Sequence, residues 1–304
     1  MPPHSIVRVL PEVRDALGRG EPVVALESSV LAQGLPIPHN RIACERMVHA
    51  VRAGGAVPAI TGVAAGVPCV GLESEELDRF LRRDGVRKVS ARDLPAAIAQ
   101  RVDGATTVAA SLALASAAGV AVFATGGIGG VHRDAPYDES ADLAELARTR
   151  MIVVCAGAKS ILDLPATWER LESFGIPVVG FNTGELPGFF TAETGIPLDV
   201  STSDPAEIAA IYAAHCAMGR PQSLLVVQPP PAEHALPRES VEQAVEQAQR
   251  DAREQGIRGA AVTPYLLASV TRLTAGGSLA TNLALLEENA ALAAKIASVY
   301  SATA

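Results

Sequence analysis

The sequence predicts a three-layer α/β/α fold around a central, mixed, largely parallel sheet. Three observations lead there. Short apolar runs alternate with longer helical patterns along almost the whole chain. Two early apolar runs, 57–63 and 68–72, are separated only by a Gly-containing turn, so a hairpin interrupts the parallel set. No repeat or linker-like stretch divides the 304 residues, and 1–304 is read as one domain.

The elements follow in order. Residues 5–17 read as a first helix, stopped by Gly18 and Gly20. Residues 22–26 form a short apolar strand ending in Glu27-Ser28-Ser29. Residues 38–53 are amphipathic, with Ile42, Met47 and Val51 on the apolar side. The hairpin comes next, then a charged helix to Arg83 with Ser74 as its N-cap and Glu75 and Glu76 in its first turn. Residues 104–131 carry no Asp, Glu, Lys or Arg. Their Gly, Thr and Ser content and the break at Gly119 predict a buried helix over 105–118 and a strand over 120–124 rather than a membrane span. A loop over 125–139 leads to Ser140, the N-cap of a helix through Ala147. Strand 151–155, a helix to Phe174, strand 178–181, a helix over 205–218, strand 223–227 and three C-terminal helices complete the chain.

Composition narrows the function. A formal charge of −8, with no basic run, argues against binding a nucleic-acid polymer, though not a single nucleotide. Four widely spaced cysteines, with no C-x-x-C pair, support neither a zinc site nor a disulfide framework. The N-terminus has no basic-then-apolar leader pattern. These features predict a cytoplasmic protein without membrane attachment.

Lys159 carries the strongest chemical signal. It follows the apolar run 151–158 and precedes Ile161-Leu162. Desolvation there disfavours the charged form, and a neutral amine attacks carbonyl-like carbons. The chain has only three lysines, Lys88, Lys159 and Lys295, beside 22 arginines. A lysine at an apolar site therefore suggests a need for an amine, since arginine cannot deprotonate. The competing reading is a strand-end lysine reaching to water.

Ligands of open α/β sheets gather at the carboxyl ends of strands. Three segments fall at such ends: Glu27-Ser28-Ser29, the run 125–133, and Gly157-Ala158-Lys159-Ser160. The Gly-rich run is not a dinucleotide fingerprint, because His132 stands where the last glycine belongs. Nor is 157–160 a P-loop, because Ala158 replaces the glycine. The run reads either as a phosphate cradle, with Thr125, His132 and Arg133 adding donors, or as a structurally required tight turn. Glu27 reads as a general acid or as an exposed strand-end carboxylate. Lys88 reads as a ligand contact or a surface lysine. Asp134, Asp138, Glu139 and Asp142 offer oxygen ligands for Mg²⁺ or Mn²⁺, or form a solvated loop at a helix start.

At these residues the chain resembles the pseudouridine-5′-phosphate glycosidase family, also called the indigoidine synthase A-like family. The matching segments are Ala25-Leu26-Glu27-Ser28, Lys88-Val89-Ser90, 104–108, 123–132, Ser140-Ala141-Asp142-Leu143, 153–164, Thr263-Pro264 and Thr281-Asn282. One departure is Thr61-Gly62, where the family continues an apolar strand. The resemblance implies reversible cleavage of pseudouridine 5′-phosphate to uracil and ribose 5-phosphate by a cytoplasmic homotrimer, with one divalent ion, Mn²⁺, per subunit. It implies Lys159 as nucleophile, Glu27 as proton donor and Asp138 as the metal residue. Lys88, Val108, Ser140, Ala141 and Asp142 would contact substrate, with Asn282 reading the uracil edge. The expected intermediate is an imine or iminium between Lys159 and C1′ of the ring-opened sugar. A sugar or nucleoside kinase and a non-catalytic sugar-phosphate-binding protein are the other two readings of the same loops.

Overall fold

Apolar runs become strands buried on both faces. In the computed structural model, which describes residues 6–133 and 137–303, the strands Val23–Leu26, Ile152–Cys155 and Leu224–Val227 are buried along their whole length. Continuous burial of this kind belongs to a parallel sheet covered by helices on both sides. The central parallel set runs Val57–Ala64, Val23–Leu26, Val122–Ala124, Ile152–Cys155, Leu224–Val227, Val178–Phe181 and Ser201–Thr202. Antiparallel pairing enters through Val57–Ala64, whose second half pairs with Val67–Val70 and with Gly104–Thr106. The sheet is thus mixed and largely parallel, with flanking helices, as expected.

The hairpin turn shows why glycine stands at its tip. Ala65 and Gly66 have φ of 47° and 84°, the left-handed pair that matches the twist of a two-residue hairpin. A Cβ on Gly66 would lie 2.6 Å from the Arg101 Cα.

Three local expectations need correction. The first segment is not one helix. Arg8–Val9 pairs in parallel with Val67–Val70, and the helix begins at Pro11 and ends at Gly18. Proline suits the first helical position and pushes the preceding residue into extended backbone, and Leu10 has φ −55° and ψ 138°. Ser5 lies outside the described residues. The charged helix Ser74–Arg82 is capped by Glu73 rather than Ser74; the Glu73 N–H donates to Glu76 Oε2 at 2.9 Å, forming a capping box. The segment expected to be helical from 105 begins as the strand Gly104–Thr106, and the helix is Val108–Ala117 with Thr107 as N-cap. Pairing with Val57–Ala64 and with Arg87–Val89 outweighs local propensity there.

The C-terminal helix Gly277–Thr303 packs on His39–Ala53 and lies over the strands Val23–Leu26, Val122–Ala124 and Ile152–Cys155. It brings residues from the end of the chain beneath the loops at the sheet's carboxyl edge. The four cysteines are free thiols. Burial pushes the Cys155 thiol up to about 12, so it is protonated and poorly nucleophilic at neutral pH. Among the described residues no helix is long and apolar enough to cross a membrane.

Candidate active site

Register puts the three chemical segments side by side. Leu26 pairs with Ala124, and Ala124 with Val154, so the loops after these strands leave the sheet at one level. They surround a cavity of about 440 Å³. Glu27, Lys88, Val108, His132, Asp138, Ser140, Ala141, Asp142, Lys159 and Asn282 all line it, and Thr125 lies directly behind Glu27.

Glu27 is 5 % exposed. Its two oxygens accept from different hydroxyls: Thr125 donates to Oε1 at 2.6 Å and Ser29 to Oε2 at 2.8 Å. The carboxyl group is therefore held in one orientation at the cavity wall. Below it lies a buried set of hydroxyls. Thr106 N–H donates to Ser28 Oγ at 2.9 Å, and Thr61 donates to the Leu26 carbonyl at 3.1 Å. Thr61 thus has a buried hydrogen-bonded place in this chain.

Lys159 is half-buried, and its ammonium donates to the Gly127 carbonyl at 2.5 Å. Its backbone is pinned as well: its N–H donates to the Ile128 carbonyl at 3.1 Å, and its own carbonyl accepts from Leu162 N–H at 3.0 Å. The turn before it needs glycine, because Gly157 has φ +82° and a Cβ there would stand 2.2 Å from the Pro187 carbonyl oxygen.

Lys88 comes from the short strand Arg87–Val89, which pairs with Gly104–Thr106. The residue is exposed and lines the cavity. Desolvation pulls its pKa below the ordinary lysine range. The Lys159 ammonium adds to this, while Glu27 and Asp142 oppose it.

Asp142 is 5 % exposed, and both its oxygens are occupied. Oδ1 accepts from Ala109 N–H at 2.9 Å and Oδ2 from Gly129 N–H at 2.8 Å. It ties the N-terminus of Val108–Ala117 to the glycine run, and this fixed geometry limits how it can also meet a ligand. Val108 is buried beside it, Ala141 is exposed, and Ser140 Oγ caps the short helix by accepting from Asp142 N–H at 3.2 Å.

His132 belongs to a two-stranded pair in which it stands opposite Leu162, three residues past Lys159. Its N–H donates to the Asp138 carbonyl at 2.9 Å. The Asp138 side chain is exposed at the cavity and has no hydrogen bond or ion pair among the described residues, whereas Glu139 is paired with Arg170. Asp134 lies outside the described residues. Among the described residues no three His, Cys, Asp or Glu side chains converge as a metal cage. Asn282 is 7 % exposed, lines the cavity, and leaves its Oδ1 without a partner among the described residues.

The glycine run is mainly a close-packed turn. Its N–H groups at Thr125, Ile128, Gly129, Val131 and His132 all donate to protein acceptors. A Cβ on Gly129 would meet Ser140 Oγ at 2.2 Å, and one on Gly130 would meet Thr167 Oγ1 at 2.3 Å. The side chains of Lys88 and His132 also line the cavity. Arg133 turns away from this cavity and donates to the Ser160 and Leu162 carbonyls at 3.2 and 3.0 Å.

Sequence reasoning missed Asn289. It is 1 % exposed, and its amide donates to the Thr125 carbonyl at 2.8 Å while accepting from Gln228 at 2.8 Å. It steadies the residue that orients Glu27. Its spacing of seven from Asn282 places both on one face of an Ala/Leu-rich helix, a signal the sequence did contain.

Fold and site together define an α/β enzyme with a polar pocket at the strand ends, built around an amine and a buried carboxyl group. The profile of the family described as "Indigoidine synthase A like protein" matches residues 12–299. The chain belongs to the indigoidine synthase A-like family. It is 61 % identical over 290 residues to a protein of Gemmatimonas aurantiaca named pseudouridine-5′-phosphate glycosidase, covering 95 % of each chain. A Herpetosiphon aurantiacus protein of the same name is 52 % identical, over 94 % of this chain and 95 % of its own. Among solved structures, the prealnumycin C-glycosynthase AlnA in complex with ribulose 5-phosphate superposes with a TM-score of 0.91 at 37 % identity, covering 99 % of both chains. An indigoidine synthase A-like protein of Thermotoga maritima gives a TM-score of 0.90 at 36 % identity, over 99 % of this chain and 98 % of that one.

Proposed function

We propose that this enzyme reversibly cleaves the carbon–carbon glycosidic bond of pseudouridine 5′-phosphate, giving uracil and ribose 5-phosphate. The observation that carries the reading is a lysine amine and a hydroxyl-oriented carboxyl group in one sugar-sized cavity. The names of the relatives supply the substrate. The ribulose 5-phosphate complex and C-glycosynthase name of the structural neighbour agree with a sugar phosphate and carbon-linked chemistry.

The residue types suit the bond. Uracil C5 is joined to ribose C1′ through carbon, so no heteroatom leaving group is present to be protonated and expelled. In this reading the Lys159 amine bonds to C1′, the C1′–O4′ bond breaks, and O4′ takes a proton from Glu27. The lysine nitrogen then returns a proton to Glu27. Glu27 delivers it to uracil C5, where the C5=C6 π electrons form the new C–H bond. The nitrogen lone pair forms C=N⁺ at C1′, the C1′–C5 bond breaks, and its electrons restore C5=C6. Water adds to the iminium and releases Lys159 and the sugar aldehyde. One water is consumed overall, and the amine acts as the electron sink that two carboxylates alone do not provide.

The remaining residues bind. Lys88 and His132 take the phosphate, whose anionic charge offsets the desolvation of the Lys88 ammonium. Val108, Ser140, Ala141 and Asp142 shape the sugar site. The orphaned Asn282 Oδ1 accepts a uracil N–H. Thr125 acts behind the wall by holding Glu27. The unpaired Asp138 carboxylate fits a hydrated hard cation such as Mn²⁺, which needs only one or two protein carboxylates beside water and phosphate oxygens. Bound there, the ion would supply charge neutralisation for the phosphate. The chain, as one unit over 1–304, would work in the cytoplasm as a homotrimer.

Borohydride added during turnover is expected to fix a ribose-phosphate adduct on Lys159, located by peptide mass spectrometry. Lys159→Ala and Lys159→Arg should both stay folded and lose uracil release, because guanidinium cannot serve as the amine. An adduct on another residue sinks the assignment.

A further inference from the structure

Phe189 sits in a backbone conformation that its side chain disfavours. Its φ is +66°, inside the left-handed region where a bulky residue is an outlier. Such residues persist where the surroundings hold them, and they cluster at functional sites. Phe189 is 2 % exposed and its N–H donates to the Ala156 carbonyl at 3.0 Å. Its ring also tilts against Phe190, with centroids 4.6 Å apart. The ring's other neighbour is the glycine run. A Cβ on Gly127 would stand 2.6 Å from Phe189 Cδ2 and 2.8 Å from Cε2, so the ring rests directly on the Gly127 backbone. The Gly127 carbonyl is the group that accepts the Lys159 ammonium at 2.5 Å. Two residues earlier, the Pro187 carbonyl closes on Gly157, the turn leading into Lys159. The segment 187–190 therefore bears on both glycine turns that set the position of the amine.

We propose that Phe189 is a positioning residue for Lys159: its ring fixes the Gly127 carbonyl, and that carbonyl parks the amine at the cavity edge. The role rests on the reading of Lys159 as nucleophile. It explains why a phenylalanine occupies a φ suited to glycine. Glycine would relax the backbone and leave the Gly127 peptide unsupported. Any side chain at position 127 would be excluded by the same contact, so the pair is complementary in size.

The test uses Phe189→Ala and Phe189→Leu. With pseudouridine 5′-phosphate, Phe189→Ala should lower kcat for uracil release roughly tenfold to hundredfold, as for a misplaced reacting group. The ring also lines the cavity, so KM should shift too, but by less than kcat falls. Phe189→Leu, which keeps an apolar contact on Gly127, should recover most of the loss. A second readout needs no substrate. Reductive methylation with formaldehyde and cyanoborohydride, read by peptide mass spectrometry, compares Lys159 with the exposed Lys295 of the same chain. The Lys159 to Lys295 ratio should rise severalfold in Phe189→Ala as the amine is released. An unchanged ratio and unchanged kcat, with only a lower melting temperature, overturn the proposal. If Phe189→Ala does not fold, the ratio in Phe189→Leu decides: a partial rise supports the contact, and none overturns it. A raised ratio together with no Lys159 adduct in the unsubstituted enzyme supports the positioning contact and instead overturns Lys159 as nucleophile.

Discussion

Two cavities meet at the turn after Lys159, and the larger is the less chemical of the two. The one on the Arg133 side measures about 580 Å³, against about 440 Å³ on the Lys159 side. Two charged groups of the larger cavity, Arg133 and Asp163, are committed to the protein. Arg133 is paired with Glu242 and holds that carboxyl below the usual carboxylate range. Asp163 accepts from Ala166 N–H at 2.9 Å as a helix cap. The smaller cavity instead presents a lysine amine, a second lysine pulled down by desolvation, an unpaired carboxylate and an orphaned amide oxygen. Volume alone points to the wrong side of the turn. Polar groups that are oriented by the fold yet still able to meet a ligand mark the site.

That contrast can be broken by substitution on each side. The largest effect after loss of Lys159 should come from Glu27→Gln, which keeps the shape but cannot donate and recover protons. A fall in kcat of about 10²–10⁴ is expected, with the melting temperature nearly unchanged. Full activity in that variant would remove Glu27 from the chemistry. Asp142→Ala should damage stability as well as turnover, because two backbone N–H groups lose their acceptor. A loss on the order of 2–4 kcal/mol is expected in urea denaturation.

Lys88→Met sharpens the electrostatic half of the comparison. KM should rise as the phosphate loses a cation, while the empty enzyme becomes slightly more stable at neutral pH. The sign follows from the lowered pKa. Below it, both folded and unfolded chains carry the Lys88 proton, and the folded state bears the whole cost of the disfavoured charge. Between the lowered pKa and the ordinary 10.5, the unfolded chain binds more protons, so stability rises with pH and the cost fades. The advantage of Lys88→Met, roughly 1–2 °C in Tm at pH 7, should therefore shrink as pH approaches 10.5. A constant difference across that range would show that Lys88 titrates normally. Smallest of all, Arg238→Ala in the larger cavity should leave kcat/KM within about twofold. A large loss there would mean that the two cavities work together.

Much of this arrangement is legible in the residues because burial on both sheet faces demands continuous apolar runs. Val23–Leu26, Ile152–Cys155 and Leu224–Val227 are such runs, and their ends are where Glu27 and Lys159 lie. Lysine scarcity drew attention to Lys88 and Lys159 for the same elementary reason: only lysine can offer a neutral amine. The strands at Arg8–Val9 and Gly104–Thr106 were hidden because they are short and owe their state to distant partners. The backbone amides of the glycine run looked free for phosphate, but long-range contacts to Asp142 and Thr167 commit two of them, and local bonds take others.

The sequence by itself determined the alternating α/β order, the strand-end placement of Glu27 and Lys159, and the family. These depend on local periodicity and on residue type, which a linear chain displays directly. Only the tertiary structure decided which groups remain available. Thr125 and Ser29 orient Glu27, Asp142 is consumed by backbone, Asn289 reaches back from the last helix, and Phe189 presses on the peptide that holds Lys159. Such partners are far apart in sequence, so only packing brings them within hydrogen-bond or van der Waals reach.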